Sequence, residues 1–280
     1  MVLLKKFFEL FGLFSLACFS FFITEKTTTV FENVDNIMLQ IKENSSKFNI
    51  DSIDAIIENN TIIPGIYGKK VDIKKSYKKM KKYGMYNENM YVYKSIKPNI
   101  SLSDNTDKYI ISGNKKYRNI SLIFKVNNDI SSIINILNNN DIKANFFIDS
   151  NWFEDNNDLV IDLINNNHII GNIGNRDSSF GWMDTIIKSL TKQKQGYCYY
   201  TDKDNDSYCI NYKNYLIKPI EINNNLLQEV KNNLNNGVML SFNIDYKLIN
   251  ELDTIIKFIK SKGYNIVNIE TLLNEHVENY

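Results

Sequence analysis

The sequence predicts an α/β fold: a largely parallel sheet with crossover helices, curled into an incomplete or distorted barrel. Three observations carry this reading. From Asn119 onward, short apolar runs alternate with segments whose apolar residues recur at helical spacing. The intervals between the runs are long enough for the crossovers that parallel neighbours require. About seven strands occupy roughly 155 residues, fewer than the eight of a regular (β/α) barrel.

The chain has 280 residues and is 43% hydrophobic, which permits a sizeable core in one large domain or two modest ones. Its net charge of +1 argues against a dedicated nucleic-acid binder, which carries a basic footprint. There are 2 histidines, His168 and His276, so a His-rich metal centre is excluded.

In chain order, residues 1–6 form a short basic tail, expected on the cytoplasmic side. Lys5 and Lys6 precede the apolar run Phe7 to Ile23, broken only by Glu9. At 1.5 Å per residue this run reaches about 25 Å, slightly short of a ~30 Å hydrocarbon core. No small-residue cleavage site follows, so an uncleaved membrane anchor is favoured over a cleaved signal that would release a secreted chain. The flanking lysines place the remainder outside the membrane. Residues 24–116 read as an extracytoplasmic stalk or linker. Within it, Val30, Val34, Ile37, Met38 and Ile41 share one helical face. Asp72 is a helix N-cap, and that helix ends near Tyr83 before Gly84. Met90–Tyr93 reads as a strand. The segment from Lys69 to Lys82 carries eight lysines in fourteen residues, either a solvated helix face or a contact for anionic lipid or wall polymer. Pro98 to Lys116 is polar and holds the domain boundary.

The alternating domain spans 117–275, with 276–280 as a tail. Its expected strands are Ile120–Phe124, Ala144–Asp149, His168–Gly171, Gln195–Tyr199, Tyr215–Pro219, Val238–Asn243 and Tyr264–Ile269. Helical stripes lie between several of them. Ile130, Ile133, Ile134 and Leu137 form one. Leu159, Val160, Leu163 and Ile164 form another, and Trp182, Met183, Ile186, Ile187 and Leu190 a third. Leu248, Leu252, Ile255, Ile256 and Ile259 form the last. Cys198 and Cys209 are either a disulfide, which an extracytoplasmic setting permits, or two unrelated small residues.

In α/β barrels the chemistry sits at the C-terminal strand ends. Here those ends read Lys125-Val126-Asn127, Asp149-Ser150-Asn151-Trp152, Asn172 to Asp177, Cys198-Tyr199-Tyr200 and Ser241-Phe242-Asn243. They form a hydrogen-bonding rim without an obvious nucleophile–base pair. Candidate binding residues are Asn127, Asp149, Trp152, Asp177, Tyr199, Tyr200 and Asn243, with the aromatic rings as stacking faces for sugars.

Lys143-Ala144-Asn145-Phe146-Phe147, Asn167-His168-Ile169-Ile170-Gly171-Asn172 and Lys262-Gly263-Tyr264-Asn265-Ile266-Val267 resemble, in order and spacing, motifs of the polysaccharide deacetylase (NodB-homology, carbohydrate esterase family 4-like) family. The resemblance covers about Asn119 to Leu273. It implies a NodB-like distorted barrel, preceded here by the membrane helix and stalk. It also implies a divalent metal such as zinc, a catalytic base and an acid. Lys125 stands where the family has its base and Val126 where it has a metal-binding Asp. Ile173 and Asp177 stand at the two metal-binding histidines, and Asn243 at the acid. Aliphatic side chains have no lone pair to offer, and one carboxylate does not hold a catalytic ion. No cofactor is therefore expected, and the chain reads as a pseudoenzyme. Lys125 and Asp177 either form an ion pair in place of the metal or remain separately solvated.

The expected role is binding, scaffolding or regulation toward an envelope polysaccharide, without nucleic acid. Two alternatives stand beside it: an active hydrolase removing N-acetyl groups, and a structural membrane-proximal module without ligand.

Overall fold

A computed structural model describes residues 2–173, 179–191, 193, 195–200 and 206–276. The chain opens with α1 (Val2–Val34) and α2 (Asn36–Asn44). Then come β1 (Ile56–Glu58), β2 (Thr61–Ile63), β3 (Gly68–Val71), α3 (Ile73–Lys81), β4 (Tyr93–Ile96) and β5 (Tyr109–Ile110). The alternating region follows as β6 (Asn119–Lys125), α4 (Ser131–Asn139), β7 (Asn145–Ile148), α5 (Ser150–Asp155), α6 (Asn157–Asn165) and β8 (Ile169–Asn172). It continues with α7 (Ser179–Leu190), β9 (Tyr197–Tyr199), α8 (Asp206–Asn211), β10 (Tyr215–Ile217) and β11 (Ile220–Ile222). It closes with α9 (Leu226–Asn233), β12 (Met239–Asn243), α10 (Tyr246–Ser261), β13 (Asn265–Ile266) and α11 (Ile269–Leu272).

The chain divides into two compact units, residues 1–51 with 68–96, and residues 52–67 with 97–280. In the first, Asp35 interrupts the apolar stripe that runs from Val30 to Ile41. Its Oδ1 accepts the Ile37 N–H at 2.9 Å and starts α2 afresh. Met38, Ile41, Val71, Tyr77, Met80 and Tyr91 form a small core. Asp72 caps α3 through the Lys75 N–H at 3.0 Å, and Gly84, at φ +67°, follows the helix in the left-handed conformation. The strand expected at Met90–Tyr93 is corrected. Glu88–Met90 is a 3₁₀ turn and the strand begins only at Tyr93, where it pairs antiparallel with β3.

The apolar run 7–23 lies in α1, and side chains such as Leu10, Phe14 and Phe21 are exposed. Among the described residues no helix is long and apolar enough to cross a membrane, so the fold gives the expected spanning helix no support.

The second unit is built on one sheet in the order β1-β2-β5-β10-β9-β8-β7-β6-β12-β11, with β13 added on β6. The β1–β2 pair is antiparallel and the others are parallel. The path ends at β1 and β11 without closing, so the barrel is incomplete. The central strands β6, β7, β8, β9 and β12 are buried on both faces, as crossovers demand. Leu122 and Phe124 face an outer core shared with Leu137, Leu163, Leu252 and Ile256, while Ile123 faces an inner core with Phe147, Ile217 and Met239. Gly171 is fixed by this packing, because a Cβ there would meet the Phe147 ring at 2.5 Å. At the N-terminal end, Asn145 fastens α11. Its Oδ1 accepts the Ile269 N–H at 2.7 Å, and its Nδ2 donates to Ser121 Oγ and the Leu122 carbonyl.

All seven expected strands of the alternating region have a counterpart here, with shifted ends. Three differences remain. β11 lies beyond Pro219, where the sequence ended a strand. The segment Tyr264–Ile269 is a strand only at Asn265–Ile266 before α11 begins. Residues 52–67 and 97–116, expected in the stalk, belong to the barrel unit, where β2 and β5 cover the edge of β10.

Candidate functional site

The C-terminal strand ends gather a polar cluster built from β6, β9, β11 and β12. Parallel register sets Lys125 beside Asn243, and Ser241 beside Glu221. The Lys125 ammonium spans that strand and reaches Glu221 Oε1 at 3.1 Å, with the lysine side chain 18% and the glutamate 46% exposed. Tyr199 enters from β9. Its hydroxyl donates to Glu221 Oε1 at 3.0 Å and to Ser241 Oγ at 2.8 Å, one phenolic proton shared between two acceptors. The Lys125 Nζ also sits 5.4 Å from the Tyr199 ring centroid, within cation–π range. Further out, Asn243 Nδ2 donates to Asn223 Oδ1 at 3.2 Å.

The electrostatics follow from these contacts. Burial alone would raise the Glu221 carboxyl, but the Lys125 ammonium and the Tyr199 hydroxyl outweigh it and hold the acid below its ordinary value. Burial pushes the Tyr199 phenol well above its ordinary value, with the neighbouring Glu221 charge adding to the shift. The cluster is therefore an ammonium, a carboxylate and a neutral phenol in mutual contact. It can donate and accept hydrogen bonds, while the Tyr199 ring itself is buried in the inner core. It contains no free base and no activated nucleophile.

The predicted site residues fall in different places. Lys125, Tyr199 and Asn243 lie at the strand ends that form the cluster. Val126 does not face it: the side chain is buried in the outer core with Phe124 and Ile130, and its N–H donates to the Phe147 carbonyl at 2.9 Å. Ile173 is half-buried against the inner core. Asp149 caps α5 by accepting the Trp152 N–H at 2.8 Å. Trp152 packs on the outer core and donates its Nε1–H to the Asn128 carbonyl at 3.2 Å. Asn127 is exposed and accepts from the Asn128 amide. Tyr200 meets Tyr109 edge-on at 4.9 Å beneath the Lys218 ammonium. Asp177 lies outside the described residues, so its pairing with Lys125 is not described, and the ammonium's described partner is Glu221.

Glu221 is the residue that sequence reasoning missed. The available signal was Ile220-Glu221-Ile222, a lone carboxylate in strand alternation, hidden because Pro219 ended the preceding strand. Ser241 was visible only as part of a strand end. Cys198 and Cys209 form a disulfide, with Cα atoms 6.1 Å apart, that ties β9 to α8.

The family's divalent metal does not fit the described residues. An ammonium, two aliphatic side chains and an amide stand at four of the five relevant positions, and none supplies an anionic or imidazole ligand. Among the described residues no group of three or more His, Cys, Asp or Glu could hold an ion.

A curled, open parallel sheet with α11 beneath it and a polar rim above is the fold of the polysaccharide deacetylases, the family 4 carbohydrate esterases. The wild-type BA3943 protein of Bacillus anthracis, a pseudoenzyme of that family, superposes with a TM-score of 0.63 at 22% identity, covering 87% of this chain and 97% of that one. A BA3943 mutant with restored enzymatic activity gives 0.63 and 22% over 87% of this chain and 100% of that one. The Bc1960 peptidoglycan N-acetylglucosamine deacetylase gives 0.51 and 16% over 60% and 95%. These likenesses establish the fold. In sequence, the uncharacterized protein YlxY of Bacillus subtilis (strain 168) is 30% identical over 150 residues, covering 52% of this chain and 47% of YlxY. The chain thus spans about half the length of that relative. No profile of a known protein family matches it.

Proposed function

We propose that this chain is a deacetylase-fold protein without the family's metal chemistry, and that its rim binds envelope carbohydrate in a scaffolding or regulatory role. The observation that carries the reading is the Lys125–Glu221–Tyr199 contact. A positive charge already paired with a carboxylate stands at the end of the strand where the family keeps its base. Such a cluster offers hydrogen bonds to a sugar but no route to activate water. An extracytoplasmic position fits the Cys198–Cys209 disulfide. Attachment to a membrane through α1 fits its exposed apolar residues between Leu10 and Ile23.

The test is direct. The purified chain is titrated with N-acetylated envelope glycan fragments while acetate release and bound zinc are measured. Retention of glycan without acetate release, weakened in Glu221→Gln, is the expected result. Acetate turnover or stoichiometric zinc would instead make the chain an active hydrolase, and silence toward every glycan would leave a structural module. Location is tested by membrane fractionation with thiol labelling: an unreduced Cys198–Cys209 pair in the membrane fraction is expected.

A further inference from the structure

A second cleft, of about 440 Å³, opens at the opposite end of the barrel unit, where the strands begin. Tyr197 starts β9 and Tyr215 starts β10, and the two are partners in the parallel register. Their rings stand 6.2 Å apart at 64°. The Tyr67 ring packs on His276 at 4.1 Å across the same cleft, and Gln195 and Glu270 complete its polar lining. No lysine or arginine stands among the described lining residues, whereas two carboxylates, Glu270 and Glu275, do.

Some polar groups here are committed, as Gln195 Nε2 is to the Gly196 and Lys213 carbonyls, and others are not. Among the described residues no hydrogen bond reaches the hydroxyls of Tyr67, Tyr197 or Tyr215, or the Glu270 carboxylate. Tyr197 is only 3% exposed, yet its phenol lines the cleft. That hydroxyl has no protein partner among the described residues and is open to solvent or to a ligand in the cleft. Burial, aided by the Glu270 charge, holds the Tyr197 phenol in its protonated, donating form. By contrast, Glu275 is satisfied by the backbone N–H groups of Gly65 and Leu102 and serves to fasten the fold. A neighbouring cleft shares Glu270 and is lined by His168. Because His168 Nδ1 accepts the Ala144 N–H, its Nε2 carries the hydrogen, and that donor is buried without a partner.

We propose that this N-terminal cleft is a binding site for a glycan segment. A pyranose ring presents an apolar C–H face and a rim of hydroxyls. Tyrosine rings match the first; unpaired phenols and a carboxylate match the second. The two carboxylates, with no lysine or arginine among the described lining residues, disfavour anionic ligands such as phosphates. The volume lies within the roughly 300–1,000 Å³ of ordinary ligand pockets. The site is separated from the rim by the inner core of Ile123, Phe147 and Met239 and does not depend on the rim's function.

The experiment uses the full chain in a Glu221→Gln, Tyr199→Phe background, which disables the rim. It is titrated calorimetrically with the β-1,4-linked N-acetylglucosamine tetramer, its free-amine form and the β-1,4-glucose tetramer. Binding of at least one tetramer is expected to persist in that background. Adding Tyr197→Phe or Glu270→Gln should then weaken it by about tenfold, the equivalent of 1.4 kcal/mol. Tyr215→Phe is the substitute if either variant fails to fold, as judged by thermal melting. Binding lost with the rim and indifferent to the cleft variants would overturn the proposal while leaving the rim reading intact. So would no binding of any tetramer up to about 10 mM, near the weak limit of specific affinity.

Discussion

Replacing His168 with Asn should remove a specific acid sensitivity from the fold. The imidazole is 3% exposed and packs edge-on against Phe146 at 5.2 Å. Its Nδ1 accepts the Ala144 N–H at 3.1 Å. Burial, then the nearby Lys143 charge, depress its pKa from 6.5 to about 4, against a small opposing contribution from the Ala144 bond. The folded value lies below the unfolded one, so the unfolded chain binds the proton first. Stability from the neutral imidazole is therefore fully present above pH 6.5 and is lost as the pH falls toward 4. At about 1.4 kcal/mol per pH unit, that interval amounts to roughly 3 kcal/mol. Asparagine places an acceptor oxygen near the position of Nδ1 and does not titrate. Urea unfolding at pH 7, 5.5 and 4, followed by the fluorescence of Trp152 and Trp182, measures the difference. The variant should be the less stable at pH 7, because it loses ring packing, but the gap should narrow by about 2–3 kcal/mol at pH 4. Other acids, such as Glu221 and Glu275, contribute equally to both proteins and cancel. Parallel pH profiles would refute the assignment of a buried, neutral imidazole.

Tyr199→Phe should cost about 1–3 kcal/mol in urea unfolding, because it strands the buried Ser241 hydroxyl and removes a donor from Glu221. Reducing the Cys198–Cys209 disulfide, which closes a loop of sequence separation 11, should remove about 3 kcal/mol and lower the melting temperature measured by calorimetry. Val126→Asp should destabilise the fold by several kcal/mol at neutral pH, since it buries an unpaired carboxylate in an aliphatic core. Zinc added during that unfolding measurement should not restore the loss.

Much of the barrel was legible because its strands and helices announce themselves by period. The stripe from Leu248 to Ile259 is buried at each of its five positions. So are Ile133, Ile134 and Leu137 of α4. What stayed hidden depends on contacts remote in sequence. The strands β2 and β5 are two or three residues long and become strands only by adding to the edge of β10. Periodicity cannot reveal them, since a run that short has none. The apolar residues flanking Asp35 fit one helix equally well, and only the cap shows that there are two. At the site, Lys125 and Tyr199 could be picked out as strand-end residues. Their partner Glu221 could not, because it lies 96 positions from Lys125. Asp149 and Trp152 illustrate the opposite error: residues with binding chemistry that the local structure spends on capping a helix and anchoring a loop.

The two ends of the barrel unit differ in a way that strand geometry explains. Tyr197 and Tyr199 are two apart on β9, so both project to the inner face, about 7 Å from one another. One phenol is bound into the Glu221–Ser241 cluster; the other opens without a partner into the N-terminal cleft. At the rim, the charges and hydroxyls already satisfy one another, so a ligand must compete with internal bonds and pays for their exchange. In the cleft, the Tyr197 hydroxyl has no described protein bond to break, and a ligand hydroxyl exchanges only with water. For equal contacts the cleft should therefore bind the tighter of the two. Val126 sharpens the contrast from the other side. At the end of β6 the backbone turns this side chain into the outer core, so the position is occupied by packing rather than left open for chemistry. Placing a metal-binding carboxylate at this position would require the strand end to repack, not merely a change of side chain.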